Sequence, residues 1–235
     1  FYCPKLQDAE NVMKNPNARH ISAKTVATVA MLCAIAFVAK LISNILPTVS
    51  GFLSFDLKDV VIVIGGFMMG PLTAAVITVI VSLVEMLTIS STGPICLVMN
   101  VLASCAFACT ASIIYKRDRS MKGAVMGLIA GVLLMTGLML LWNWLITPLY
   151  MKVPRETVVA MLLPVFLPFN LVKGGMNAAL AMLLYKPVVT ALRRAHLVEE
   201  SSSGSKSGVK WGIVLISLAL VATFVLLALV LAGKI

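Results

Sequence analysis

Apolar runs of membrane-span length dominate this sequence and limit what it can fold into. They fall at about 25–46, 58–70, 72–89, 95–115, 123–147, 164–185 and 211–232. A helix needs about 20 apolar residues to cross the hydrocarbon core of a bilayer, so six or seven spans take about 120–140 of the 235 residues and leave almost nothing for a soluble domain. Inside lipid every backbone N–H and C=O must be paired within the protein, and a helix pairs its own. The expected fold is therefore an all-α polytopic membrane protein. Composition agrees, with 60% hydrophobic and 12% charged residues against about 25% charged in a soluble globule. Nothing is left over for a soluble enzyme or an appended nucleotide-binding domain. The second run is short and interrupted by Gly65, Gly66 and Gly70-Pro71, so it is expected to be tilted or joined tightly to the third.

The chain divides into a polar segment at 1–24, a six-helix membrane domain at 25–195, a linker at 196–210 and an additional transmembrane helix at 211–235. The linker contains Ser201-Ser202-Ser203-Gly204-Ser205-Lys206-Ser207-Gly208, a composition typical of flexible connectors. The span after it has no acidic or amide side chain and reads as a lipid-facing anchor.

Basic residues set the orientation. Lys5, Lys14, Arg19 and Lys24 precede the first span; Lys116, Arg117, Arg119 and Lys122 join the fourth to the fifth; Lys186, Arg193, Arg194, Lys206 and Lys210 follow the sixth. The opposite side has only Lys58, Lys152, Arg155 and Lys234. The positive-inside bias puts the amino terminus on the cytoplasmic side of the cell membrane. The formal net charge of +10 is thus a topology signal, and no nucleic-acid partner is expected.

Ionisable and amide side chains inside a bilayer are costly and face a bundle interior or an aqueous cavity. Under this topology they cluster in the outer half. Lys40 and Asn44 lie near the outer end of span one, Glu85 near that of span three, Asn100 at the outer start of span four, and Asn143 near the outer end of span five. Asn170, Lys173 and Asn177 follow in span six at i, i+3 and i+7, which is one helical face. The competing reading of each amide is interhelical glue, with Glu85 as an ion-pair partner for Lys173. Convergence from five helices at one depth favours a binding cavity. Lys40 is the weakest member, since its stem could snorkel to the headgroups.

Phe52 and Phe55 sit in the external loop after span one and are read as a lid. Trp142 lies at the same level as a possible wall. An apolar pocket with a few polar groups suits a flat, heteroaromatic small molecule. Ala27, Ala30 and Ala34 in span one, and Gly123, Gly127 and Gly131 in span five, allow close helix approach. Packing within the bundle is the commoner use, and a docking surface is a second reading for span one. Five cysteines lack paired spacing, so neither a disulfide framework nor a metal site is expected. No phosphate-binding loop and no hydrolase or zinc-protease motif occurs. The chain is therefore expected not to be an enzyme.

Several stretches together resemble the substrate-binding S components of energy-coupling factor (ECF) transporters, in particular the riboflavin-binding ones, over about residues 20–195. They are the alanine pattern of span one, the loop ending Phe55-Asp56, Gly65-Gly66-Phe67-Met68-Met69-Gly70-Pro71-Leu72, Trp142-Asn143 with Pro148-Leu149-Tyr150, and Pro168-Phe169-Asn170-Leu171-Val172-Lys173-Gly174 leading to Leu184-Tyr185-Lys186. The last motif is the most specific. The resemblance implies a vitamin-capture protein with an outward-opening site and no cofactor, riboflavin being the transported ligand. It also implies that Asn170, Lys173, Asn143 and Glu85 match ligand positions. Span one would then dock on the coupling subunit EcfT, and a pair of ATPase subunits would drive transport. The seventh helix departs from that pattern. From the residues alone, another planar vitamin such as folate or thiamin fits as well, and a stand-alone proton-coupled carrier using Glu85 is the rival from another class.

Overall fold

The computed structural model describes residues 23–46, 48–89, 93–194 and 211–233. Apart from Ala23 and Lys24, the polar segment expected at 1–24 lies outside them, as does the linker at 196–210. Nine α-helices occur among the described residues: α1 (Ala23–Ser43), α2 (Lys58–Met69), α3 (Pro71–Thr88), α4 (Pro94–Arg117), α5 (Met121–Leu145), α6 (Thr147–Met151), α7 (Arg155–Met161), α8 (Leu167–Arg194) and α9 (Trp211–Leu231). A π-turn, Leu162–Phe166, joins α7 to α8. Among the described residues, six helical stretches are long and apolar enough to cross a membrane. With the short α2 they make the six-helix bundle expected from sequence, plus one further C-terminal helix.

The interrupted second run becomes the centre of the bundle. At about 1.5 Å per residue, the 12 residues of α2 reach only about 18 Å, yet most of them are buried, including Val60, Ile62, Val63 and Ile64. The helix ends at Gly70, whose φ of +101° suits a residue without a Cβ. Pro71 then opens α3 at its first position, where its missing N–H is not needed. This hinge folds α2 back against α3, so α2 is wrapped by α1, α3, α4 and α8.

Gly127 and Gly131 serve packing inside the bundle. A Cβ on either would stand 2.7 Å from the Ala111 carbonyl oxygen or 2.5 Å from that of Phe107. Their hydrogens therefore let α5 lie directly on the α4 backbone, the close approach that small residues permit in lipid. The basic end of the bundle is filled by aromatic rings: Phe67 stands 4.5 Å from Tyr115 and 6.0 Å from Tyr185, and the two tyrosine hydroxyls are 3.2 Å apart.

Span six starts earlier than its apolar run suggested. Helical structure begins at Arg155 and continues to α8 through the π-turn. Pro164 and Pro168 each remove an N–H donor from the i→i−4 ladder, and the Leu167 N–H reaches back to the Leu162 carbonyl instead. Such single-turn π-bulges are frequent at functional sites. This one sets the direction of Phe166, Phe169 and Asn170.

Candidate ligand-binding site

The loop between α1 and α2 caps the end of the bundle opposite the basic one. It turns tightly at Ser50 and Gly51, both at positive φ, and a bridge closes the turn: Val49 N–H donates to the Leu53 carbonyl at 2.8 Å and Leu53 N–H to that of Val49 at 3.0 Å. Phe55 is 1% exposed and lies 5.2 Å from Phe169. Phe52, at the tip, is 36% exposed and meets the edge of Phe166 at 6.0 Å. This loop, read from sequence as a lid, is thus pinned to the start of α8 by ring contacts, with Phe55 buried and Phe52 at its tip.

Directly beneath lies a buried ion-pair quartet. Asp56 Oδ2 is 3.3 Å from Lys40 Nζ and 3.0 Å from Lys58 Nζ; Glu85 Oε1 is 3.0 Å from Lys40 Nζ, and Glu85 Oε2 pairs closely with Lys58. The quartet ties α1, the lid, α2 and α3 together. Two carboxylates against two ammonium groups leave no net charge, which is the condition for tolerating ions at this depth. Asp59 is buried beside them and accepts a hydrogen bond from the Ser104 hydroxyl. Asp56 sits in the loop, outside the spans. Burial by itself would raise its pKa, but Lys58, Lys40 and Lys173 together hold it well below the ordinary carboxylate range. Its backbone carbonyl accepts from the Asn177 Nδ2 at 2.8 Å, and the Ser43 hydroxyl oxygen accepts from Leu57 N–H at 2.8 Å. The lid is held at its base by polar bonds and at its tip by rings.

The amides behave differently. Asn170 donates to the Phe166 carbonyl at 2.8 Å, Asn143 to that of Met139 at 2.7 Å, and Asn100 to the Cys96 sulfur at 3.4 Å. Each partner is one turn back on its own chain segment. Asn143 Oδ1 also accepts from Thr147 at 2.8 Å. None of these bonds crosses between neighbouring spans. Lys173 is half-buried, close enough to act electrostatically on Asp56 and Asp59. Among the described residues it has no ion-pair partner within 4.0 Å. Among the described residues the buried Asn177 Oδ1 and Trp142 Nε1 have no hydrogen-bond partner, although buried polar atoms are normally satisfied.

The expected site residues therefore separate into groups. Asn143, Asn170, Lys173, Asn177 and Trp142 supply polar atoms not spent on interhelical bonds. Lys40 does not snorkel; it is buried in the quartet. Glu85 pairs with Lys40 and Lys58 rather than with Lys173. Asn44 is exposed in the turn after α1 and does not join the cluster, because α1 ends at Ser43 and the chain turns outward. Lys58, counted from sequence among the outer basic residues, is 1% exposed. Sequence reasoning missed Asp56, Lys58 and Asp59 as bundle groups. The signal was present: three charges within four residues open an apolar helix, where solvation is unavailable. Ala27, Ala30 and Ala34 are all exposed, on the side of α1 opposite its buried Leu32, Ala36 and Lys40.

A family model described as "ECF transporter, substrate-specific component" matches residues 24–185. The chain belongs to that family. It is 32% identical over 177 residues to "Riboflavin transporter RibU" of Staphylococcus aureus (strain TCH60), covering 73% of this chain and 93% of that one. It is 30% identical over 186 residues to "Riboflavin transporter FmnP" of Bacillus subtilis (strain 168), covering 74% and 98%. A solved structure titled "Structure and mechanism of the S component of a bacterial ECF transporter" superposes with a TM-score of 0.61 at 31% identity, covering 72% of this chain and 97% of that one. The chain is thus a multi-pass membrane S component, and the part of it left over in each comparison is large enough to hold the seventh helix.

Proposed function

We propose that this S component captures riboflavin from the extracellular side of the cell membrane and delivers it inward when coupled to EcfT and an ATPase pair. The observation that carries this reading is the division of labour beneath the lid: an ion-pair quartet fastens the scaffold, while Lys173 and the amides keep bonding capacity. The names of the two relatives at 32% and 30% identity support riboflavin over folate or thiamin.

Chemically, the isoalloxazine ring offers a flat apolar face and a dioxopyrimidine edge that both donates and accepts. The amides of Asn143 and Asn170 can do either, the Lys173 ammonium donates only, and Trp142 adds a donor through its indole N–H. The Asn177 carbonyl supplies an acceptor. Phe52, Phe166 and Phe169 provide apolar cover against the ring. The lid excludes water once its rings return to Phe166 and Phe169, strengthening each polar contact in the low-dielectric interior. Entry requires the Phe52 and Phe55 contacts to open. The packed Phe67, Tyr115 and Tyr185 rings close the other end, so delivery falls to movement of the whole S component rather than to passage through it. The excess of basic residues on one side supports a cytoplasmic amino terminus, and the exposure of Ala27, Ala30 and Ala34 supports them as the surface for EcfT.

The test is quenching of flavin fluorescence by the purified chain in detergent. Riboflavin is expected to be quenched at a stoichiometry approaching one per chain. Absence of quenching, with thiamin or folate retained instead, would transfer the assignment to that vitamin. Uptake that persists without the ATPase pair and collapses with the proton gradient would favour a stand-alone carrier.

A further inference from the structure

A long apolar groove runs along the membrane-facing surface between α5, α8 and α9, with an open volume of about 850 Å³, and it shares no residue with the polar cluster. Its floor includes Gly175 and Ala178 of α8, and its walls include Ile129 and Leu133 of α5 and Phe224 of α9. At one end stands Lys122, exposed and, among the described residues, without an acidic partner within 4.0 Å. This is the end of the bundle where Lys116, Arg117, Arg119 and Lys186 also gather.

We propose that the groove binds an anionic phospholipid from the leaflet at the basic end of the bundle, with the phosphate at Lys122 and one acyl chain laid between α5 and α9. Dimensions support this occupant. From Lys122 to Leu133 is 11 residues, about 17 Å along the helix, and one leaflet of the hydrocarbon core is about 15 Å thick. A transmembrane helix about 10 Å across displaces about 1,300 Å³ over that length, well beyond the groove, whereas an acyl chain is thinner. An exposed ammonium at the headgroup level selects a negative headgroup. The seventh helix creates the site, because one whole wall belongs to α9.

The inference stands on the groove and does not depend on which vitamin is carried. Native mass spectrometry of the full chain in detergent, titrated with phosphatidylglycerol or phosphatidylcholine, tests it. The wild type is expected to retain phosphatidylglycerol in preference to phosphatidylcholine. Lys122→Gln, at an exposed position, is expected to lower phosphatidylglycerol retention about fivefold and leave phosphatidylcholine unchanged. Ile129→Trp, which fills the groove from a lipid-exposed position, is expected to remove retention of both lipids while helical content and gel-filtration profile stay native. Equal retention of the two lipids by wild type, no effect of Lys122→Gln, a natively folded Ile129→Trp chain that keeps its lipid, or a second copy of the chain in place of lipid would each overturn the proposal.

Discussion

Lys58 and Lys173 carry the same charge within the same bundle and stand in different surroundings. Lys58 is enclosed by Asp56 and Glu85; removing its ammonium leaves two carboxylates sharing Lys40 alone. Losing one partner of a buried ion pair costs about 3–5 kcal/mol, a large share of the about 5–15 kcal/mol that holds a domain folded. Lys58→Met is therefore expected to lower folded yield and thermal stability sharply. Lys173 has no such partner among the described residues, so Lys173→Met is expected to keep most of the folded yield while weakening riboflavin binding by about tenfold or more, the equivalent of one charge-assisted hydrogen bond. Fluorescence quenching and gel filtration on both variants check the contrast. Equal losses in both variants would place Lys173 with the scaffold.

At the scale of elements, the seventh helix is seated by one contact above others. The outer edge of the Phe224 ring of α9 meets Gly175 of α8, where a Cβ would stand 2.3 Å from Phe224 Cζ. Ala228 further along α9 belongs to the same apolar cluster as Val49, Phe55 and Phe169, so the outer part of the helix lies near the lid. Gly175→Leu is expected to lever α9 off α8 while the six-helix core stays folded. Protease cleavage of the linker at 196–210, followed by gel filtration, should then release the C-terminal fragment from the variant and not from wild type. Co-migration in both would show that Phe224 is not the seat. By comparison, Gly131→Leu drives a side chain into the Phe107 carbonyl of α4, and backbone cannot yield as a ring can. That variant is expected to lose the bundle itself, seen as aggregation on gel filtration.

For the whole molecule, two faces remain to be engaged, and they lie on different helices. The alanine face of α1 projects away from the bundle, whereas α9 covers α8 and leaves α1 open. A seventh helix is thereby compatible with docking through α1. Ala34→Trp is expected to abolish co-purification with the EcfT and ATPase subunits and to leave riboflavin binding by the isolated chain unchanged, because Ala34 is exposed and remote from the lid contacts. Retained assembly would move the docking surface elsewhere.

The linear chain already determined the class of fold, because hydrophobic length is a local property and a bilayer demands self-satisfied helices. It also determined the register of Asn170, Lys173 and Asn177, since helical periodicity is local too, and the motif running from Pro168 to Gly174 carried the family. What only the tertiary structure decided was pairing. Whether Glu85 meets Lys173 or Lys58 depends on how four segments converge after α2 folds back at Gly70, and no spacing along the chain encodes that distance. The same holds for the three charges from Asp56 to Asp59, which look like an outer loop until the helices around them exclude water, and for Asn44, which one further residue of turn directs outward.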